Sequence, residues 1–600
     1  TVEELTVTWP SGHVQRFTAL AINQRLTITE PKGPATKTNP PTPSPAYTEQ
    51  GSALGLAFTV PEETTPERET QALVPFRFDR RGPSLAVSDL NGDGRYDLVF
   101  GGTRQSPLTT TTGLTLPSTG ADDGPILLFD ADGDGDPDLL RTGLSVSASA
   151  PSSPLIYRND QGRFIATDAL PPLPQSTGAA VAADFDRDGD LDLFLGARYQ
   201  PGRYPRSGRS LWLRNDQGRF SDVTDLQAPG LAELGLVTSA LATDLNGDGW
   251  SDLLVATEWG HVRALVNEQG QRFTDQTEAL GFASGGTGWW TSLASADFNQ
   301  DGRPDYVAGN VGQNTPYRAP ALLYEGDFRG GGAPILIEAY EESGRLYPRR
   351  TKQELTTLLP ALSRRYPRND DYAKATLPEI VGEARLHAAR RYEATELRSG
   401  VFLSAPGGTF RFVPLPPEAQ LAPFQGLVAG DLDGDGAADL YAVQNSHAPV
   451  PSMGRFDGGL SQLFLGDGQG GFTPVPPGES GLLVPGDAKA LVTLDLNADG
   501  WPDFLVTRND APSLAFVRSP SPDRAFVRVR LQGPRGNPTA IGARITLTLA
   551  DGRTQTTELT AGQGYASQGP AEAVFGYPVG TPPKDLRIRW PDGRTTTQPF

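Results

Sequence analysis

The sequence predicts an all-β chain. Its main body is a seven-bladed β-propeller, or an eight-bladed one if a degenerate repeat forms its own blade. A helical insertion, a small C-terminal β domain and an N-terminal β arm complete it. Three observations lead there. A nine-residue acidic pattern recurs seven times at mostly blade-sized spacing, and turn formers are abundant, with 69 Gly and 54 Pro in 600 residues. No apolar run approaches the ~18 residues of a membrane-spanning helix.

Residues 1–30 form the arm, VEELTVTWPSGHVQRFTALAINQRLTITE following Thr1. Residues 31–50 hold six prolines in twenty positions, a composition that favours an extended, semi-rigid linker. The sole methionine is Met453, so Thr1 is not an initiator, and a processed product or a segment of a longer chain is expected.

The propeller is assigned to residues 51–522. Its repeat, D-x-[DN]-x-D-G-x-x-D, starts at Asp89, Asp130, Asp184, Asp244, Asp297, Asp431 and Asp495, with spacings of 41, 54, 60, 53, 134 and 64 residues. A short alternating stretch precedes each copy and an apolar, β-prone stretch such as LFLGA (193–197) follows, so each loop joins two strands. A second element, N-x-x-G-x-F, recurs at 159–164, 215–220 and 267–273 (the last with one extra residue) and reads as a second hairpin, giving four strands per repeat. The 134-residue gap holds DFRGGGAPI (327–335), a degenerate repeat that has lost carboxylates. It also holds two helical stretches, assigned as an insertion at 351–398, the first opening with Thr351 and Glu354 in capping-box spacing. Residues 523–600 form the last domain.

The repeated loop places oxygen ligands at alternate positions of a tight turn. The candidate ligands are Asp89, Asn91, Asp93 and Asp97; Asp130, Asp132, Asp134 and Asp138; Asp184, Asp186, Asp188 and Asp192; and Asp244, Asn246, Asp248 and Asp252. They continue with Asp297, Asn299, Asp301 and Asp305; Asp431, Asp433, Asp435 and Asp439; and Asp495, Asn497, Asp499 and Asp503. Gly at the sixth position permits the turn, and the carbonyl at the seventh adds an oxygen. A hard cation that takes six to eight oxygens at about 2.3–2.6 Å suits this set, so about seven structural Ca²⁺ sites are expected. Zinc and copper would want His or Cys, which the loops lack. An EF-hand is excluded. Its bidentate Glu at the twelfth position is replaced by Phe100, Arg141, Leu195, Val255, Ala308, Ala442 and Val506, and a strand follows instead of a helix. Asp-Gly clusters also make simple turns, but seven copies at such spacing argue for metal.

These residues resemble the FG-GAP/VCBS calcium-binding propeller repeat, over about 75–520. Stretches such as GLVTSALATDLNGDGWSDLLVATEWG (235–260) resemble the branch that includes cartilage acidic protein and its bacterial relatives, in which a small ASPIC/UnbV β domain follows the propeller. Residues 542–600 are similar to that domain nearly to its end, and residues 2–30 to its tail. Both carry W-P-x-G, Trp9–Gly12 and Trp590–Gly593. The resemblance leaves three arrangements open: one period of a tandem array, an arm folded onto its own C-terminal domain, or an arm that completes a neighbour's sheet by donor-strand complementation and builds a filament.

Composition narrows the function. A formal net charge of −19 argues against general nucleic-acid binding. The absence of cysteine excludes disulfides, thiolate metal sites and cysteine nucleophiles. The four histidines, His13, His261, His387 and His447, lie in no nucleophile motif, and no enzyme is expected. Trp259, Trp289 and Trp290 are candidate sugar platforms or core residues, and Arg198, Arg203, Arg206 and Arg209 either meet an anionic glycan or are solvated. The expectation is a secreted, extracellular or cell-surface protein, structural or adhesive, that self-associates through its termini. The alternative is a monomeric module that binds a glycan or protein.

Overall fold

The computed structural model describes residues 2–9, 13–22, 24–32, 45–62, 71–145, 153–173 and 176–600. Thr1–Pro45 and Ala46–Phe600 are separate compact units. In the first, Val2–Thr8 and Val14–Leu20 pair as an antiparallel hairpin. Pro10, Ser11 and Gly12 of its W-P-x-G turn, and 33–44 of the proline-rich linker, lie outside the described residues.

The second unit is all-β in its main architecture. Among the described residues, seven sheets each carry one acidic loop between two neighbouring antiparallel strands, and all their pairings are antiparallel except that of Ser567–Gln568 with Leu85–Ala86. The Asp130 sheet is representative: Asp122–Phe129, Asp138–Leu144, Leu155–Asp160 and Arg163–Ala166 lie side by side in chain order. Its first two strands are buried along their whole length, with Arg141 paired to Asp123 at 2.7 Å between them, whereas the third mixes buried and exposed positions. The first strands of successive sheets pack against one another, from Leu85–Ser88 through to Ala488–Leu494, and the last packs against the first. Apolar clusters fill the gaps between sheets; Val181, Phe194, Val237 and Val255 belong to one. Tyr47–Glu49 pairs with Phe516–Arg518 as the outer strand of the Asp495 sheet, so the expected linker gives its last residues to a strand anchored by buried Tyr47.

The Asp297 sheet is interrupted. Between Asp305–Gly309 and Gly400–Ala405 the chain forms a separate four-stranded sheet from Ala321–Gly326, Ile335–Glu342, Arg345–Pro348 and Arg390–Ala394. The degenerate repeat is its first turn, where Asp327 accepts the N–H groups of Gly330 and Gly331 at 2.8 and 2.5 Å. The capping box forms as its spacing predicts, Thr351 accepting from and donating to Glu354. The helical segment differs from expectation in two ways. Five short helices replace two longer stretches, because Pro360 blocks continuation of Lys352–Leu358 and Gly382, at φ +91°, ends Leu377–Val381. Residues 390–394, expected to be helical, instead pair with Ala321–Glu325.

Toward the C-terminus, Thr554–Glu558, Arg544–Leu549, Pro583–Arg589 and Thr595–Pro599 form a sheet over a core of Ile545, Leu547, Leu549, Leu586 and Ile588. The AGQGYASQ segment, 561–568, leaves this sheet and runs among the first strands of the seven acidic-loop sheets. Ala182 N–H donates to the Ala561 carbonyl at 3.1 Å, Gly564 N–H to that of Leu293 at 3.0 Å, and Leu85 N–H to that of Ala566 at 3.1 Å. Leu491 N–H donates to Ser567 Oγ at 3.1 Å, and Ser239 Oγ donates to the Gly564 carbonyl at 2.5 Å. A Cβ on Gly562 would sit 2.3 Å from the Ala180 carbonyl, so close approach requires glycine there.

Candidate metal-binding loops

Each loop is organised by its carboxylates accepting main-chain N–H groups. The first Asp accepts through Oδ2 from the sixth-position glycine in all seven loops, as in Gly94 to Asp89 at 2.8 Å and Gly436 to Asp431 at 2.7 Å. The third-position oxygen accepts from the fifth N–H, and the fifth from the seventh; in the Asp89 loop these distances are 2.9 and 2.8 Å. These successive Asx turns wind the loop so that alternate side chains converge, and they need a left-handed backbone at the sixth position, supplied by Gly135 at φ +102° and its equivalents.

The ninth residue begins the second strand and joins three segments. Asp138 Oδ2 accepts from Ala131 N–H at 2.9 Å, within its own loop, and Oδ1 accepts from Asn159 N–H of the third strand at 2.8 Å. Asp192, Asp252, Asp305, Asp439 and Asp503 bond likewise, to Asn215, Asn267, Ser404, Gly466 and Arg518 N–H. Asp97 accepts the loop bond from Leu90 N–H at 3.0 Å and has the Thr111 hydroxyl as a second partner.

Three loops bring three carboxylates within 4.8 Å of one another: Asp130, Asp132 and Asp138; Asp184, Asp186 and Asp188; and Asp431, Asp433 and Asp439. Asp134, Asp192 and Asp435 stand outside these groups. In the other four loops the third ligand position holds an amide, Asn91, Asn246, Asn299 or Asn497, whose oxygen accepts from the fifth residue's N–H. First and ninth positions are largely buried, whereas the fifth is exposed in every loop except that of Asp431.

Crowding acid into partly buried loops has an electrostatic cost. Burial, reinforced by neighbouring carboxylates, pushes Asp138, Asp184, Asp297 and Asp431 up to about 7 and Asp305 and Asp503 up to about 6. A bound cation would relieve that repulsion. Asp184 Oδ1 is buried with no hydrogen-bond partner, an orphaned acceptor within a three-carboxylate group. The donor set is all oxygen and fits a hard divalent cation held by side chains at the first, third, fifth and ninth positions.

The N-x-x-G-x-F hairpin proves to be part of the same machinery, which sequence reading missed. Asn159 Nδ2 donates to the Leu90 carbonyl at 2.9 Å, Asn215 to Ala131 at 2.9 Å and Asn267 to Phe185 at 2.8 Å, each reaching the loop of the preceding sheet. Each Oδ1 accepts from the glycine three residues on, which explains the motif's spacing.

The tryptophan candidates are packed, and the arginines range from buried to exposed positions. Trp289 and Trp290 are buried, and Trp289 meets Phe76, Trp259 and Tyr317 edge-on, so core packing accounts for them. Arg198 is buried against Glu258, Arg206 pairs with Glu325 at 2.8 Å and Arg209 with Asp222 at 2.5 Å; Arg203 is exposed.

The geometry defines a protein of acidic-loop β-sheet repeats, and comparison with known families specifies the repeats. The ASPIC and UnbV family model matches residues 1–35 and 533–599, and the FG-GAP-like repeat model matches 130–195 and 244–308. The chain thus contains FG-GAP-like repeats and ASPIC and UnbV sequence, as its motifs implied. Among curated proteins, none matches the chain. Similar solved structures include the V. cholerae biofilm matrix protein Bap1 (12% identity, TM-score 0.31, covering 78% of this chain and 91% of that one). A Bacillus licheniformis rhamnogalacturonan lyase (11%, 0.33, 79% and 76%) and a Burkholderia pseudomallei lectin (12%, 0.33, 73% and 97%) are also similar. No helix among the described residues is long and apolar enough to cross a membrane.

Proposed function

We propose that this chain is an extracellular, calcium-stabilised structural or adhesive protein whose body is a seven-bladed propeller at about 51–522. In this reading residues 523–600 form a C-terminal domain, and the sheet and helices between Gly309 and Gly400 are an insertion within the fifth blade. The observation that carries it is the sevenfold recurrence of one carboxylate–amide loop, each copy joining two neighbouring antiparallel strands of a four- or five-stranded sheet. Oxygen-only loops of this kind need abundant calcium, which is met outside cells. Twenty-four of the 71 acidic residues lie at ligand positions, so much of the net charge is accounted for by the loops. The reading includes no catalytic step.

The proposal extends to assembly, with the N-terminal strands of one copy completing the C-terminal sheet of the next. Its support is a duplicated hairpin. Trp9 N–H donates to the His13 carbonyl at 2.9 Å and its indole to Gln15 at 2.7 Å; Trp590 N–H donates to the Arg594 carbonyl at 2.8 Å and its indole to Thr596 at 3.0 Å. Thr595–Pro599 is an exposed edge strand, and residues 26–30, LTITE, are β-prone and lie outside any strand. Electron microscopy and sizing of the calcium-loaded chain, with and without residues 1–30, test this. Periodic filaments that vanish on deletion are expected; isolated particles of unchanged size with and without the arm would contradict it.

A further inference from the structure

We propose that two of the seven loops, those at Asp244 and Asp495, are closed by arginines of the chain's own C-terminal segment in place of a divalent cation. The chain would then hold divalent cations in five loops and be clasped to its C-terminal domain at the other two. This rests on the metal reading of the loops given above.

Two C-terminal guanidinium groups meet Asp244 itself, while Arg187 of the preceding loop donates to the Gly249 carbonyl at 2.5 Å and lies over the Trp250 ring. Arg589 donates to Asp244 Oδ2, the oxygen that also accepts Gly249 N–H at 3.0 Å. Arg544 Nη2 donates to the Asp244 carbonyl at 3.1 Å and lies 3.8 Å from Asp244 Oδ2. Glu558, 2.6 Å from Arg544 Nη2, fixes the pair from the other side. At the Asp495 loop, Arg528 Nε lies 3.7 Å from Asp495 Oδ2, and Arg528 Nη2 donates to the Trp501 carbonyl at 3.0 Å. Trp501 occupies the seventh position, whose carbonyl is the one main-chain oxygen such a loop offers a cation. Glu572 anchors Arg528.

The remaining five loops differ. Among the described residues none of their carboxylates forms an ion pair. Where an arginine does reach one of those loops it takes a main-chain carbonyl that is not a ligand, as Arg553 does at Asp435 at 2.8 Å. Asn at the third position does not explain the distinction, because the Asp89 and Asp297 loops carry it too, and among the described residues no C-terminal arginine pairs with their carboxylates; Arg530 reaches the Asp89 loop only at the Tyr96 ring, 4.7 Å from its centroid. Both arginine-held loops read D-L-N-x-D-G-W, and the other five lack tryptophan at the seventh position.

The chemistry favours substitution. A guanidinium stays charged at any relevant pH and supplies directional N–H donors to a carboxylate and a carbonyl together. With one in place, a dication in the same loop would meet a fixed like charge within a few ångströms and would lose ligand capacity at the first or seventh position. The loop's negative charge is instead used to hold the C-terminal domain.

Counting bound calcium by atomic emission after gel filtration tests the assignment. Five ions per chain are expected; seven would overturn this inference while leaving the metal reading intact, and none would overturn both. Asp244→Asn should leave the count unchanged while Asp297→Asn lowers it by one; an equal loss from both would contradict the proposal. Arg528→Gln, and Arg544→Gln with Arg589→Gln, should each add one ion, with Arg530→Gln and Arg587→Gln as controls that add none. Terbium emission excited through tryptophan gives an independent readout, since Trp250 and Trp501 sit in the two loops. It should rise severalfold in the Arg528→Gln and Arg544→Gln/Arg589→Gln variants; full emission in the unmodified chain would refute the assignment.

Discussion

Asn215 Nδ2 donates to the main-chain carbonyl of Ala131 at 2.9 Å, tying the outer hairpin of one sheet to the acidic loop of the sheet before it. The same amide, itself buried, donates to the Leu191 carbonyl at 3.1 Å and accepts from the partly buried Gly218 N–H at 2.9 Å. Asn215→Ala would leave those groups unpaired. A loss of about 1–3 kcal/mol is expected in chemical denaturation, together with weaker calcium binding at the Asp130 loop. An unchanged midpoint would show that the bridge contributes nothing.

Gly218 has φ +87°, and a Cβ built on it would lie 2.8 Å from Asp132 Cβ. Gly218→Ala therefore both strains the backbone and displaces a ligand. It should destabilise by at least ~1 kcal/mol and reduce the calcium count by one, read by denaturation and by direct metal analysis. Gly247→Ala, also at positive φ but with nothing within 4 Å of its Cβ, separates backbone strain from ligand displacement.

Gln568 holds the threaded segment. Its amide donates to the Leu128 carbonyl and accepts from Leu128 N–H, both at 2.7 Å. Gln568→Ala would leave two buried main-chain groups unpaired, at a cost of about 2–6 kcal/mol. Limited proteolysis should then release the C-terminal segment faster than in the unmodified chain.

The raised loop carboxylates set a pH dependence for the metal-free chain. Asp138, Asp184, Asp297 and Asp431 have folded values of about 7 against an ordinary 3.8, so the folded state binds protons more tightly than the unfolded state. Their stabilising protonation is complete below ~4 and is lost as pH rises through about 7. Metal-free protein should accordingly melt higher at pH 5 than at pH 8. Saturating calcium, which favours the ionised form, should cancel or reverse that order. Calorimetry across the range checks both statements.

Local features were legible in the sequence; long-range ones were not. The acidic loops and their flanking strands could be read because ligands, turn glycine and strand onset lie within nine residues. The N-x-x-G-x-F hairpin was recognisable, but its side-chain target lies in the preceding repeat, about 69–84 residues away. Threading by 561–568 depends on contacts hundreds of residues distant; its only sequence trace is a run of small residues around Gly562 and Gly564. Helix lengths failed at Pro360 and Gly382, where chain breakers outweighed an otherwise helical composition. Trp289 and Trp290 fall in a segment that reads as a loop, yet burial against other aromatics decides their role.

Calcium dependence of folding is the central claim, and thermal unfolding in excess chelator against millimolar calcium tests it most directly. Each occupied loop adds about 2.7 kcal/mol when free calcium is a hundred times its Kd, so several loops together predict a melting temperature lower by many degrees in chelator. An identical melt in the two conditions would contradict the account.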